Sequence, residues 1–81
     1  MTYQEIQDEV TTALADRLGI KAEDVNLDAD LTDDINLDSL DRAELIMRLE
    51  ETAGVKLDDL ALEEIYTPRQ LIDLVASLSD G

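Results

Sequence analysis

Apolar side chains recur every three or four residues in several stretches of this 81-residue chain, and helix-capping residues stand at the ends of those stretches. Side chains at that spacing fall on one face of a helix, so the pattern predicts amphipathic α-helices. A capping box of Thr2 and Glu5 begins the first helix, which we expect over residues 3–18, and Gly19 ends it. Its apolar residues at helical spacing are Ile6, Val10, Ala13, Leu14 and Leu18.

A second helix is predicted from Ser39 to about Ala53, with Asp38 as its N-cap and Gly54 after its end. Its apolar residues form two stripes, one with Leu45, Ile46, Leu49 and Ala53, the other with Leu40, Ala43 and Met47. One stripe must face the core. The other is either buried as well, in a small bundle, or partly exposed for partner proteins, to which a methionine offers adaptable contact.

Two further helices are predicted in the last third of the chain. Residues 57–65 favour one or two helical turns after an Asp cap. Thr67, Pro68 and Gln70 form a stronger helix start, because they supply a cap, a preset first position and the closing residue of a capping box. The buried face of this last helix is expected to contain Leu71, Ile72, Val75 and Leu78.

The segment between the first two helices, residues 20–37, has no helical period and is predicted to be a long loop. Isolated apolar residues are expected to anchor it, namely Val25, Leu27, Leu31, Ile35 and Leu37. A loop of this length is longer than most helix connections, which indicates a functional or well-packed segment. The absence of internal repeats and of a low-complexity linker predicts a single domain over residues 1–81.

The charge of the chain limits its binding partners. Its 21 acidic and 6 basic residues give a formal net charge of −15, which disfavours nucleic acid and anionic membrane surfaces and favours basic protein patches. The chain has no Cys, which excludes disulfides, thiolate metal sites and thiol catalysis. Because no apolar run approaches the length of a membrane span and the N-terminus lacks a signal-peptide pattern, we expect a cytoplasmic protein. We also expect it to be a monomer.

Ser39 is the residue with the clearest chemical potential. A serine nucleophile normally needs a neighbouring base such as His, but the chain contains no His and Ser39 lacks the flanking glycines of a nucleophile elbow. The Ser39 hydroxyl instead lies beside the positive end of a helix dipole, which would stabilise a phosphate attached to that hydroxyl. The pattern therefore predicts a serine that is modified. The other serines, Ser77 and Ser79, are expected to lie in a frayed tail.

The sequence around Ser39 resembles the modification site and second helix of acyl carrier proteins. The similar residues are Asp33-Asp34-Ile35-Asn36-Leu37-Asp38-Ser39-Leu40-Asp41, then Ala43-Glu44-Leu45-Ile46-Met47 and Leu49-Glu50-Glu51. Similarity continues through Leu57, Asp59, Ile65, Thr67 and Leu71, and covers nearly the whole chain from Leu14 onward. An Asp-Ser-Leu triplet alone would be weak, but its combination with the acidic helix, the length and the helix order is specific.

The resemblance implies an all-α four-helix bundle with three main helices, a short third helix and a long loop between helices one and two. It also implies that Ser39 carries a 4′-phosphopantetheine arm, which a separate phosphopantetheinyl transferase attaches from coenzyme A. The arm's thiol would hold acyl groups as thioesters, and the protein itself would not be an enzyme. Asp38 matches the acid that the transferase recognises, although it could serve only as an N-cap.

The resemblance further implies a partner surface on the second helix, facing enzymes of the acyltransferase, ketosynthase or acyl-ligase type that have basic docking surfaces. The implied apolar contacts are Leu40, Ala43 and Met47, and the implied acidic contacts are Asp41, Glu44, Glu50 and Glu51. These acids could also form an ordinary solvated helix face. Fatty-acid, polyketide and related thioester pathways all remain open, and Asp38 favours an acyl carrier over a peptidyl or aminoacyl carrier.

Two departures from the family pattern lie close to Ser39. Asn36 replaces the usual Gly, and Asn tolerates a left-handed backbone better than most residues. Arg42 points toward the core stripe, and its charge opposes the helix dipole in the first turn. We expect its stem to pack and its guanidinium to reach water. If the stem packs and the guanidinium reaches water, replacement of Arg42 by Thr should stabilise the protein. Alternatively, Arg42 contacts a polar or anionic acyl group.

Two other classes of protein were compared with this interpretation. Residues 24–28 begin like an EF-hand loop, but Ala29 replaces the required Gly and Ile35 replaces the bidentate Glu, so we expect no metal site. An unmodified acidic helical adaptor is the remaining alternative. Incubation with coenzyme A and a transferase, followed by intact mass, separates the adaptor from a carrier protein.

Overall fold

The computed structural model describes residues 2–79, apart from the side chain of Asp59. The described residues form four α-helices and a single 3₁₀ turn, with no β-strand. The helices are α1 (Tyr3–Leu18), α2 (Ser39–Ala53), α3 (Asp59–Leu62) and α4 (Pro68–Ser79), and the 3₁₀ turn spans Ala22–Asp24. The predicted all-α four-helix bundle is therefore confirmed, with α3 reduced to one turn.

The helix ends follow the predicted caps. In α1 the Glu5 N–H donates to Thr2 Oγ1 at 3.2 Å, and the Thr2 N–H donates to Glu5 Oε1 at 2.8 Å. Gly19 ends α1 in the left-handed conformation, with φ of 71°. The same reciprocal bonding at Thr67 and Gln70 begins α4. Local hydrogen bonds thus define the helices before any tertiary contact is considered.

The core draws on all the main helices and on the long loop. Its buried members are Ile6, Val10, Leu14, Leu31, Ile35, Leu37, Leu45, Leu49, Leu57, Ile65, Leu71, Ile72 and Val75. Leu31, Ile35 and Leu37 anchor the loop as predicted, while Val25 and Leu27 are half-buried. The Leu31 N–H donates to the Tyr66 carbonyl at 2.8 Å. The loop is therefore fixed against the α3–α4 connection, and its last residues lead directly into α2.

The C-terminal part of α4 differs from the prediction. Leu78 is 49% exposed, because the half-buried Ser79, four residues after Val75, continues the row of α4 that faces the core and leaves Leu78 beside it. Ser77 and Ser79 belong to the last turn of α4 and not to a frayed tail. The Ser77 hydroxyl donates to the Leu74 carbonyl at 2.7 Å, and Ser79 Oγ is buried.

Candidate functional site

Ser39 is the first residue of α2 and its side chain lies on the surface. Asp38 is the N-cap, as predicted, and its Oδ1 accepts the Asp41 N–H at 2.8 Å. The Asp41 carboxylate closes a capping box through its Oδ2, 3.5 Å from the Asp38 N–H. A capped first turn holds its backbone in a fixed conformation, so the Ser39 hydroxyl has a defined position at the surface.

The chain reaches Ser39 through a left-handed residue, Asn36, whose φ is 63°. The expectation that Asn maintains this turn in place of Gly is confirmed. On its C-terminal side, Leu37 is buried and its N–H donates to the Leu31 carbonyl at 2.9 Å. These contacts fix the backbone immediately before Asp38 and Ser39.

An ion pair from α1 holds the first turn of α2. The Arg17 guanidinium donates through Nε to Asp41 Oδ1, and through Nη2 to Oδ2 at 2.9 Å. The Asp41 side chain is only 11% exposed. The hydrogen bond from Arg17 holds the pKa of the Asp41 carboxyl below its ordinary value, and Asp41 in turn raises the pKa of Arg17. The sequence alone gave no signal for this pair, because its members lie 24 residues apart.

The outer stripe of α2 is exposed. Leu40 is 66% and Met47 is 59% exposed, and Ala43 between them also lies on the surface. Glu44 and Glu51 are exposed on the same helix. Of the two interpretations of this stripe, the buried one is therefore wrong. Leu40, Ala43 and Met47 are named the outer strip below.

The remaining two predicted partner acids have partners inside the chain. Glu50 is half-buried, and its Oε2 accepts the Leu57 N–H at 2.8 Å. Asp41 is engaged by Arg17 and by the capping box. Both carboxylates therefore stabilise the ends of α2, a role that sequence reasoning missed.

The guanidinium of Arg42 is bonded to the backbone of a neighbouring segment, which the expectation of a head that reaches water did not include. Its Nη2 donates to the carbonyls of Leu62 and Ile65, both at 2.8 Å, and the residue is half-buried. The physical reason is that the Leu62 carbonyl, at the C-terminal end of α3, has no partner within its own helix, while the Ile65 carbonyl lies in the segment after α3. The unusual angle of Arg42 in the sequence was the only signal for this contact.

A groove of about 380 Å³ runs beside Ser39 between α2 and α3. It is lined by Ser39, Arg42, Ala43, Ile46, Leu62 and Glu63, and is named the Ser39 groove below. Three of these side chains are apolar, and Arg42 supplies a positive charge.

Comparison with known proteins decides the family. Residues 8–75 match the family described as "Phosphopantetheine attachment site". The chain belongs to the acyl carrier protein family. The prosthetic group of this family is 4′-phosphopantetheine, and the members of the family are carriers and not enzymes.

Individual acyl carrier proteins support this membership over nearly the whole chain. The acyl carrier protein of Thermosynechococcus vestitus is 39% identical over 75 residues, which is 93% of each chain. That of Nitratidesulfovibrio vulgaris is 38% identical over 72 residues, covering 89% of this chain and 95% of the relative. A solved structure of the acyl carrier protein from Enterococcus faecalis superposes with a TM-score of 0.83 at 28% identity, covering 96% of this chain and 99% of that one.

Within residues 2–79, His, Cys, Asp and Glu side chains do not gather in groups of three or more that could hold a metal ion. None of the helices in this range is long and apolar enough to cross a membrane.

Proposed function

We propose that Ser39 carries the 4′-phosphopantetheine arm. The observation that carries this proposal is the exposed hydroxyl at the first position of α2, beside the Ser39 groove. The chain contains two other serines, and both lie in the last turn of α4. The Ser77 hydroxyl is bonded to a carbonyl, and Ser79 Oγ is buried, so neither is presented as Ser39 is.

The residues around Ser39 would act as a fixed platform for the arm. When bound, the arm supplies a thiol that holds an acyl group as a thioester. Asp38 caps α2 and leaves its carboxylate at the surface, where a transferase could recognise it. Ala43, Ile46 and Leu62 offer an apolar wall along the groove for the part of the arm nearest the protein.

We further propose that the outer strip of α2 binds the partner enzymes to which the protein delivers acyl groups. Leu40 and Met47 give a large apolar contact at the centre, and Glu44 and Glu51 give negative charge beside it. A basic docking surface complements this arrangement, as in transferases and in acyltransferase, ketosynthase or acyl-ligase type enzymes. Because Asp41 and Glu50 are engaged within the chain, they contribute less to such contacts than Glu44 and Glu51.

The pathway we propose is fatty-acid, polyketide or related thioester biosynthesis in the cytoplasm, served by a single carrier domain. The relatives named above are all acyl carrier proteins, which favours an acyl over a peptidyl or aminoacyl cargo. Asp38 before the serine favours the same choice.

The attachment site is tested with Ser39→Ala and the matched control Ser77→Ala. After incubation with coenzyme A and a phosphopantetheinyl transferase, we expect the parent and Ser77→Ala to gain the mass of one arm. Ser39→Ala should keep its original mass and its helical circular dichroism, because Ser39 is exposed and Asp38 provides the cap. Modification of Ser39→Ala would refute the assignment.

A further inference from the structure

Arg42 differs from the other arginines in what it binds. Arg17 pairs with Asp41, Arg48 with Glu9 and Arg69 with Asp28. Arg42 instead donates to two backbone carbonyls, and among the side chains described it has no carboxylate within ion-pair distance. In a chain with a net charge of −15, this guanidinium therefore forms no ion pair with any of the carboxylates that the structure describes.

The Arg42 guanidinium is also held in place. One nitrogen, Nη2, makes both bonds, and the two carbonyls belong to Leu62 at the C-terminal end of α3 and to Ile65 in the segment after it. A guanidinium has five N–H groups in a rigid plane, and Nη2 carries only two of them. The side chain is thus fixed by neutral acceptors, while donors on Nε and Nη1 remain for another ligand.

The position of Arg42 relative to Ser39 selects the ligand. They are three positions apart on α2, so their side chains leave neighbouring points of one helix face, with Cβ atoms roughly 5–6 Å apart. Both line the Ser39 groove. Any group attached to Ser39 Oγ begins within one helical turn of the guanidinium, whereas the far end of a long arm lies much further away.

We propose that Arg42 is a binding site for the phosphodiester that links the arm to Ser39. This inference rests on the proposed attachment at Ser39. A guanidinium matches phosphate oxygens in charge and in the spacing of its donors. Since Arg42 is already fixed by α3, it would bind the phosphodiester without losing further side-chain freedom and would couple the arm to α3.

Unfolding of unmodified and modified protein tests the proposal with Arg42→Gln. Loss of the bonds to α3 destabilises both forms of this variant, so that effect cancels in the difference between them. We expect modification to lower the unfolding equilibrium constant about 2- to 5-fold more in the parent than in Arg42→Gln, the range of an exposed ion pair. Intact mass establishes the modification of each sample first, so a failure of attachment at Ser39 is recognised separately.

Arg48→Gln is the matched control, because Arg48 lies on the same helix but pairs with Glu9 on α1. It should show the same difference between modified and unmodified forms as the parent. An equal difference in the parent and in Arg42→Gln would overturn the proposal. The proposal would also be overturned if modification changed the unfolding equilibrium constant equally in Arg42→Gln and in Arg48→Gln.

Nuclear magnetic resonance gives a second test that needs no folded variant. In the parent, the side-chain N–H signals of Arg42 should shift on modification, while those of Arg48 should not. Signals of Arg42 that stay in place on modification, and then shift only after loading of a carboxylated acyl group, would assign Arg42 to the acyl group and overturn the phosphodiester site. Loading with a plain acyl group controls for the presence of the thioester.

Discussion

At the scale of single residues, the site depends on contacts between distant side chains. Asp41 shows this most clearly, because one carboxylate both closes the cap of α2 and binds Arg17 of α1. Ser39 lies in the turn that these bonds hold. We therefore expect Arg17 to position Ser39, although it does not belong to the modification motif.

We expect Arg17→Gln to slow modification of Ser39. Without the guanidinium, the first turn of α2 loses its connection to α1, and kcat/KM of a phosphopantetheinyl transferase should fall by roughly 3- to 10-fold through poorer positioning of the hydroxyl. Arg48→Gln, which also removes an α1–α2 ion pair, is the control and should have a smaller effect. Equal rates for the two variants would contradict this role.

The same substitution should change the acid response of Asp41. The bond from Arg17 lowers the pKa of this carboxyl in the folded state, so its contribution to stability is present at neutral pH and is lost as the pH falls through the lowered value. In Arg17→Gln the pKa should rise toward the ordinary value of about 3.9. Titration of the Asp41 carboxyl carbon by nuclear magnetic resonance measures this change directly.

At the scale of elements, α2 divides its faces between the core and the surface. Leu45 and Leu49 are buried, while the outer strip is exposed and has acids beside it. An exposed apolar strip on a protein of this size indicates a binding surface. Its polar neighbours affect the encounter with a partner, and its apolar centre affects how long the complex lasts.

Substitutions on α2 should separate these two effects. Glu44→Lys or Glu51→Lys should slow association with a carrier-dependent enzyme about 2- to 10-fold at low salt and flatten its salt dependence. Met47→Ala should mainly raise the dissociation rate, because it removes apolar contact. Glu23→Lys, an exposed acid outside α2, is the control. Surface plasmon resonance measures both rates, and unchanged rates for all α2 variants would exclude this surface.

At the scale of the whole molecule, repulsion between the many carboxylates opposes the stabilisation that the apolar core provides. A small core of buried aliphatic side chains holds together a chain of net charge −15. Surface ion pairs such as Arg69–Asp28 offset part of the repulsion, but with 21 acidic and 6 basic residues most carboxylates have no cation to pair with. Screening by salt should therefore weaken repulsion more than it weakens attraction.

We expect sodium chloride to stabilise the fold. Between about 0.02 M and 0.5 M salt the screening length shortens several-fold. The melting temperature should rise on the order of 5 °C, the shift that about 1 kcal/mol produces in a domain of this size. Thermal unfolding by circular dichroism measures it, with an equal osmolality of sucrose as the control for effects unrelated to charge. A melting temperature that falls with salt would show that ion pairs dominate.

The sequence by itself determined the elements and the presentation of Ser39. The helices begin at Tyr3, Ser39 and Pro68 because of capping boxes, each formed by two residues three positions apart in the chain. The left-handed turns at Gly19 and Asn36 follow from residue type. These features are local, because the hydrogen bonds that create them join near neighbours in the chain. The motif around Ser39 is a continuous stretch that runs from the end of the long loop into α2, so the family also followed from the sequence.

The tertiary structure alone decided what the charged side chains bind and which apolar residues at the ends are covered. Arg17 meets Asp41 across 24 residues, and Arg42 meets Leu62 across 20. Leu78 has the helical spacing of a core residue but remains half exposed. Such outcomes depend on how the helices and the long loop pack, because a charged side chain binds whichever partner the fold brings within reach, and the periodicity of one helix does not specify its neighbours.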